Sequence, residues 1–390
     1  MSGQDSSTTE AALEIRAVRS RADWKAFHGV PSLVSPGGAA RVEPLALHQR
    51  QLWAPRHPYF RHARATAWLA WRDGRPVGRI SAQIDALAAD HGMAGIGHFG
   101  QLDGIDDAAV FDALLDAAGR WLAEQGMATM RGPFDLSINQ QCGMLVDGFE
   151  HAPMMMMDWS PPWKSAHLER AGFAPAMDLL AYRGSPEFDL PARVQRLLDR
   201  LGDRIRVRAL ARSELDAHAE TMRVLFNEAW AGNWGFLPMT SEEFRHAVSD
   251  MKLLVRPGYV QLAEVDGRAA GFIVTLPDLN EMIADLDGRL WPTGAVRLLW
   301  RIWRRRFSRV RTLLMGVARE HHRTPVGAAL GYALIDATRP HLVADGVKLA
   351  EQSWILETND GMRSMLESIG MEVAQRFRIV QRPAGPVGSA

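Results

Sequence analysis

The densest run of residues able to handle a substrate is Asn227-Glu228-Ala229-Trp230-Ala231-Gly232-Asn233-Trp234-Gly235-Phe236. Trp230, Trp234 and Phe236 offer flat apolar faces that suit an aliphatic chain, and Asn227, Glu228 and Asn233 carry groups that orient a polar head. The run also reads as a loop anchored by buried aromatic rings. A second segment, 295–309, sets Arg297, Arg301, Arg304, Arg305, Arg306 and Arg309 around Val296, Leu299, Trp300, Trp303 and Phe307 at helical spacing. A basic amphipathic helix with tryptophans predicts contact with a membrane surface. Its alternative is a helix packed on its own domain behind solvated arginines. No Walker loop, Gly-x-Ser-x-Gly elbow or His/carboxylate cluster at metal spacing occurs, so no metal is expected.

These segments need a scaffold, and composition bounds it. A chain of 390 residues is long enough for two or three domains of ordinary size, each with its own core. Its formal charge is zero, which gives no bulk basic field for nucleic acid. Cys142 is the only cysteine, so an intrachain disulfide and a cysteine-built metal site are excluded and a reducing, cytoplasmic setting is expected. No apolar stretch approaches the roughly 20 residues of a membrane span. The polar start, residues 1–12, reads as a disordered tail rather than a signal peptide, and 385–390 as a second tail.

The chain repeats itself. Ala70 to Ile80 matches Ala263 to Ile273 around Asp73-Gly74 and Asp266-Gly267, a strand–turn–strand signal in both places. In the same order, Arg16-Ala17-Val18 falls on Arg208-Ala209-Leu210, Leu114-Leu115-Asp116-Ala117 on Leu334-Ile335-Asp336-Ala337, and Leu168 to Phe173 on Leu366 to Met371. Collinear matches at drifting offsets indicate duplication with insertions, near Arg131 to Pro162 in the first copy and Asn280 to Arg309 in the second. The expected division is 13–186 and 187–384. Each copy reads strand, helix, long irregular stretch, strand, turn, strand, strand, helix, strand, helix, strand. That alternation predicts an α/β chain (α+β mixed sheet).

At this point the pattern resembles the GNAT superfamily of acyl-CoA-dependent N-acyltransferases, twice over and more sharply in the second copy. Arg131-Gly132-Pro133, Val146-Asp147-Gly148-Phe149, Asn233-Trp234-Gly235-Phe236 and Trp354-Ile355-Leu356-Glu357 with Asn359 are similar to a tandem subgroup that includes the bacterial ceramide synthases. The resemblance implies an acyl-CoA cosubstrate held at the turn before a helix. Gly316, Val317, Arg319, Arg323, Val326, Gly327 and Ala328 match that region, though His322 and Pro325 replace an expected Arg or Gln and Gly, and proline removes an N–H. It also implies a base for the amine, with Asp278, Glu281, Glu351 and Glu357 at expected strand ends as candidates, each equally readable as a solvated or ion-paired carboxylate. Asn280 and Asn359 join the expected substrate contacts. Leu366 stands where many relatives carry a tyrosine acid. The first copy has no such turn and is expected to be structural or substrate-shaping.

The function expected from this resemblance is transfer of a long acyl chain to a sphingoid-like amine by a cytoplasmic protein touching the inner face of the membrane. Acetyl transfer to a small amine and a non-catalytic binding protein are the alternatives.

Overall fold

The computed structural model describes residues 12–34 and 41–386, so the two expected tails fall largely outside the described residues. The first half runs β1 (Glu14–Ala17), α1 (Arg21–Val34), α2 (Ala46–Leu52), β2 (Ala63–Arg72), β3 (Arg75–Asp85), β4 (Ile96–Gly104), α3 (Ala108–Glu124), β5 (Thr129–Gly132), β6 (Met144–Asp147), α4 (Trp163–Arg170) and β7 (Ala174–Gly184). The second runs α5 (Ala192–Leu201), β8 (Ile205–Ala209), α6 (Leu215–Trp230), α7 (Ser241–Met251), β9 (Val260–Val265), β10 (Arg268–Pro277), α8 (Leu279–Ile283), α9 (Gly294–Trp303), β11 (Arg309–Val317), α10 (Pro325–Ala344), β12 (Leu349–Leu356), α11 (Asp360–Ser368) and β13 (Glu372–Pro383).

The two predicted hairpins form, β2 with β3 and β9 with β10. Asp73, Gly74, Asp266 and Gly267 all have positive φ, the conformation that a two-residue turn demands. The long irregular stretch expected in the second copy instead contains a helix, α7. Thr240 and Glu243 close a capping box at its start, satisfying two orphan amides reciprocally.

All strands join one mixed sheet in the order β1-β2-β3-β4-β5-β13-β7-β12-β11-β10-β9-β8, with β6 on β13. At its centre the halves exchange their last strands. The first half's β7 pairs with β12, and the second half's β13 pairs with β5. β7 and β13 also pair with each other from Glu372↔Arg183 to Gln381↔Ala174. The core follows, since Leu145, Leu179, Leu237, Leu356 and Phe377 pack in one cluster drawn from both halves. Helices cover both faces. Leu262 and Phe272 pack with α6, whereas their neighbours Ala263 and Ile273 pack with α10, as strand alternation requires.

Strand exchange has a measurable outcome. Fragments 1–186 and 187–390 expressed apart should each fail to give a cooperative unfolding transition and should regain one when co-expressed. Two independently folding fragments, seen by circular dichroism and urea denaturation, would contradict it.

Candidate active site

β11 and β12 run parallel but pair only over Arg309–Thr312 and Leu349–Gln352. Beyond that β11 stays on β10 as far as Val317, and β12 stays on β7 through Leu356. Leu313, Leu314, Met315, Trp354 and Ile355, although mid-sheet, are only half-buried. A register shift between Val274 and Thr275 accompanies the divergence. The result is a wedge through the sheet with unpaired backbone along its edges and α10 starting at its open end. Trp230 and Trp354 stand at the wedge, edge-to-face at 5.5 Å, and the Trp230 indole N–H donates to the Met315 carbonyl at 3.3 Å.

A narrow cavity of about 100 Å³ runs between α6, α7 and the sheet. Leu215, Met222, Phe226 and Trp230 line it along one stripe of α6, a span of about 22 Å at the helical rise. Phe244, Ala247, Val248 and Met251 of α7 form the opposite wall. Its polar contributions are few: Asn139 and Gln140 from the first half, and Arg311. Met156, Met222, Met239 and Met251 also line it, and unbranched methionines repack around an irregular guest. Sequence reading missed this site, because an apolar stripe on α6 and α7 has the same pattern whether it packs against core or lines a cavity.

The first copy has an equivalent divergence, with β4 and β5 paired only over Ile96–His98 and Thr129–Arg131. There the chain itself fills the gap. The Phe134 amide donates to the Phe99 carbonyl at 2.8 Å. A Cβ on Gly100 would lie 1.8 Å from the Phe134 carbonyl oxygen, and one on Gly132 would lie 2.2 Å from that of Phe99. Gly100 and Gly132 therefore permit the plug.

None of the four carboxylates expected as bases lines the cavity. Asp278 caps α8, accepting from the Asn280 amide at 3.1 Å and the Met155 amide at 2.9 Å, and pairs with Arg309 at 2.7 Å. Its burial pushes its pKa up. Glu281 accepts from the Ser308 amide and hydroxyl and from the Arg309 amide. Glu351 is fully buried, bonded to Arg183 at 2.8 Å and Ser353 at 2.5 Å. Arg311 completes that network through Ser353 and the Met155 carbonyl. Glu357 accepts from the Asp178 amide at 3.0 Å. These are holding roles, invisible in sequence because their partners lie far along the chain.

The expected substrate residues divide similarly. Asn227 exchanges two hydrogen bonds with the Met239 backbone and so fixes the loop between α6 and α7. Trp234 packs under Arg131 at 4.8 Å, and Phe236 is buried against Phe226. Glu228 is exposed, and Asn233 caps a turn with its amide on the Trp230 carbonyl. Asn280 donates to the Pro153 carbonyl, and Asn359 caps α11. Only Trp230 of this set borders the cavity.

At the expected cofactor turn, Gly316 allows α6 to lie against β11, since a Cβ there would meet Ala229 at 3.2 Å. The Val317 carbonyl is bonded by His322 at 2.8 Å. Arg319, Arg323 and Ala328 are exposed, and Val326 is half-buried. A Gly-rich helix start binds pyrophosphate through free amides, and here they are scarce. Pro325 has none, that of Gly327 donates to the Thr324 hydroxyl at 3.1 Å, and that of Ala328 to the Thr324 carbonyl at 3.1 Å. Val326 keeps the one first-turn amide without a partner among the described residues. The wedge thus fits the extended, amide-bearing pantetheine arm of CoA, which can bond its open strand edge as an added strand would. The helix start does not fit its pyrophosphate. Among the described residues no group of three or more His, Cys, Asp or Glu is placed to hold a metal ion.

Comparison with known proteins agrees with this architecture. No protein-family model matches the chain. A tandem GNAT protein from the clavulanic acid biosynthesis pathway superposes with a TM-score of 0.56, covering 96% of this chain and 99% of that one at 15% identity. The fold is therefore the GNAT N-acyltransferase fold, built twice. Protein YghO of Escherichia coli (strain K12) is 38% identical over 372 residues, 94% of this chain and 95% of that protein. Bacterial ceramide synthase of Caulobacter vibrioides is 36% identical over 378 residues, 96% of this chain and 98% of that one. The chain belongs to the family of these two proteins.

The cavity wall α7 is clipped to the first half. His62 pairs with Asp85 at 3.0 Å and with Glu243 at 3.2 Å. The bond to Asp85 first, and then that to Glu243, raises the His62 pKa to about 10. A raised pKa means that the clip stabilises fully below the unfolded value near 6.5 and is lost as pH rises through about 10. Wild-type stability minus that of His62→Asn, followed by urea denaturation, should therefore shrink between those limits. A difference constant with pH would contradict the charged clip.

Proposed function

We propose that this GNAT-fold chain is an acyl-CoA-dependent N-acyltransferase that moves a long acyl chain to the amine of an amphiphilic, sphingoid-base-like substrate. The apolar cavity beside the wedge carries this reading, because acetyl transfer to a small polar amine has no use for such walls. The family relationship to a bacterial ceramide synthase supports it.

Acyl-CoA, when bound, supplies an acyl carbonyl already activated as a thioester. The open edge of β11 beyond Thr312 holds the pantetheine amides, and the α6 and α7 stripes enclose the aliphatic chain away from water. Trp230 and Trp354 confine the space where wedge and cavity meet. Apolar surroundings disfavour an ammonium ion, so entry itself lowers the pKa of the amine and releases its proton towards solvent. The Gln140 side-chain amide, uncommitted among the described residues, orients the head group together with Asn139. Ala247→Phe narrows the cavity, and with a long-chain amine it should cut kcat/KM for a palmitoyl donor at least about tenfold, roughly 1.4 kcal/mol of binding, while sparing an acetyl donor. Equal losses for both donors would remove the cavity from the reaction.

Contact with the inner face of a membrane belongs to the same reading. No helix among the described residues is long and apolar enough to cross a membrane. Instead α9 buries Gly294 and Leu298 and turns its aromatic side outward. On α9 Trp303 is 71% exposed and Val296 69%, and Trp291, just before the helix, is 86% exposed. Arg297 and Arg301 are held by Asp285, and Arg305 by Asp345. Arg304 and Arg306 lie over Trp303 and Trp300 without an ion pair among the described residues, as suits an anionic headgroup layer. Flotation with vesicles containing phosphatidylglycerol should carry the wild type, and Trp291→Ser/Trp303→Ser should reduce that binding about tenfold. Unchanged flotation of the double variant would rule out this surface.

A further inference from the structure

The two ends of the donor site are built very differently. The wedge and cavity offer an open strand edge and a mostly apolar lining. The start of α10 offers little to a pyrophosphate, because the Thr324 hydroxyl takes the Gly327 amide and Pro325 lacks one, which leaves that of Val326 alone in the first turn. A Cβ at Gly327 would lie 2.0 Å from the His321 carbonyl oxygen, so the glycine serves the packing of the 319–321 turn against the helix. Arg319 and Arg323 remain as exposed side chains, and solvated charges of that kind contribute little to binding.

From this we infer that the protein recognises its donor by the acyl–pantetheine half and not by the nucleotide end. The inference rests on the acyl-transfer reading above and names the donor class more closely: any acyl-pantetheine thioester, whether its far end carries the adenosine bisphosphate of CoA or the serine of a carrier protein. Binding energy comes from the chain in the cavity and from pantetheine amides on β11, and the phosphate end lies over the α10 start without a cradle.

The test is a titration of the full chain by calorimetry with three ligands: decanoyl-CoA, S-decanoyl-pantetheine and free CoA. The expected result is that decanoyl-pantetheine binds within tenfold of decanoyl-CoA while free CoA binds more than tenfold weaker than decanoyl-CoA. A pantetheine thioester more than tenfold weaker than its CoA counterpart overturns the inference, as does free CoA within tenfold of decanoyl-CoA. Absence of binding by either thioester also overturns it. Failure of the transferase reading is separate: the thioesters would bind in the expected order, yet no amide would form on adding a long-chain amine.

Discussion

The pairing of β7 with β12 and β13 is the constraint on which the rest of the molecule depends. Neither half closes its sheet alone, so the two copies share a core, and the position of β12 is set by a strand that belongs to the other copy. Arg183 carries that dependence into the charged interior. From β7 it bonds Glu351 of β12, which in turn holds Ser353 and, through it, Arg311 of β11. A buried ion pair is seldom a gain in stability over apolar packing, but its partners fix one another's geometry. Here they fix the apex of the wedge, since the strands diverge after Thr312 and Gln352, the immediate neighbours of Arg311 and Glu351.

Duplication then shows how little separates an open cleft from a sealed one. Both copies separate their parallel strands after a short run of pairing. In the first copy the segment after β5 turns back across the gap, and Gly100 and Gly132 leave space for it. In the second no chain returns, and the space passes to the α6 and α7 face. The filled copy still contributes, because the same insertion supplies Ile138, Asn139 and Gln140 to the wall of the other copy's cavity.

Much of the fold was legible in the amino-acid order. Asp-Gly turns declared both hairpins, and the collinear repeat implied one fold used twice. The helix expected from Ala328 forms but opens three residues earlier, at Pro325 with Thr324 as its cap. α7 was missed although Thr240 and Glu243 spelled its cap, because the run before it, with Gly232, Gly235 and Pro238, masks the helical period. The strand exchange has no local signal, since pairing partners nearly two hundred residues apart leave no trace in either segment. The site was legible only in outline. Pro325 stands in the first turn of α10, where it removes an amide, and Trp230 borders the cavity. The four carboxylates were chosen for their type and place at strand ends, yet at such ends an acid is just as useful for capping a helix or bonding an exposed amide. That choice depends on neighbours that sequence spacing does not show.

The methionines around the cavity have a chemical cost beyond their adaptability. Met156, Met222, Met239 and Met251 line a space whose walls are otherwise mostly apolar. Oxidation to the sulfoxide turns such a side chain polar, and an S=O dipole in that lining has few polar neighbours to accept from. The softness that lets these walls repack around an irregular guest is thus also a point of oxidative weakness in the cavity lining.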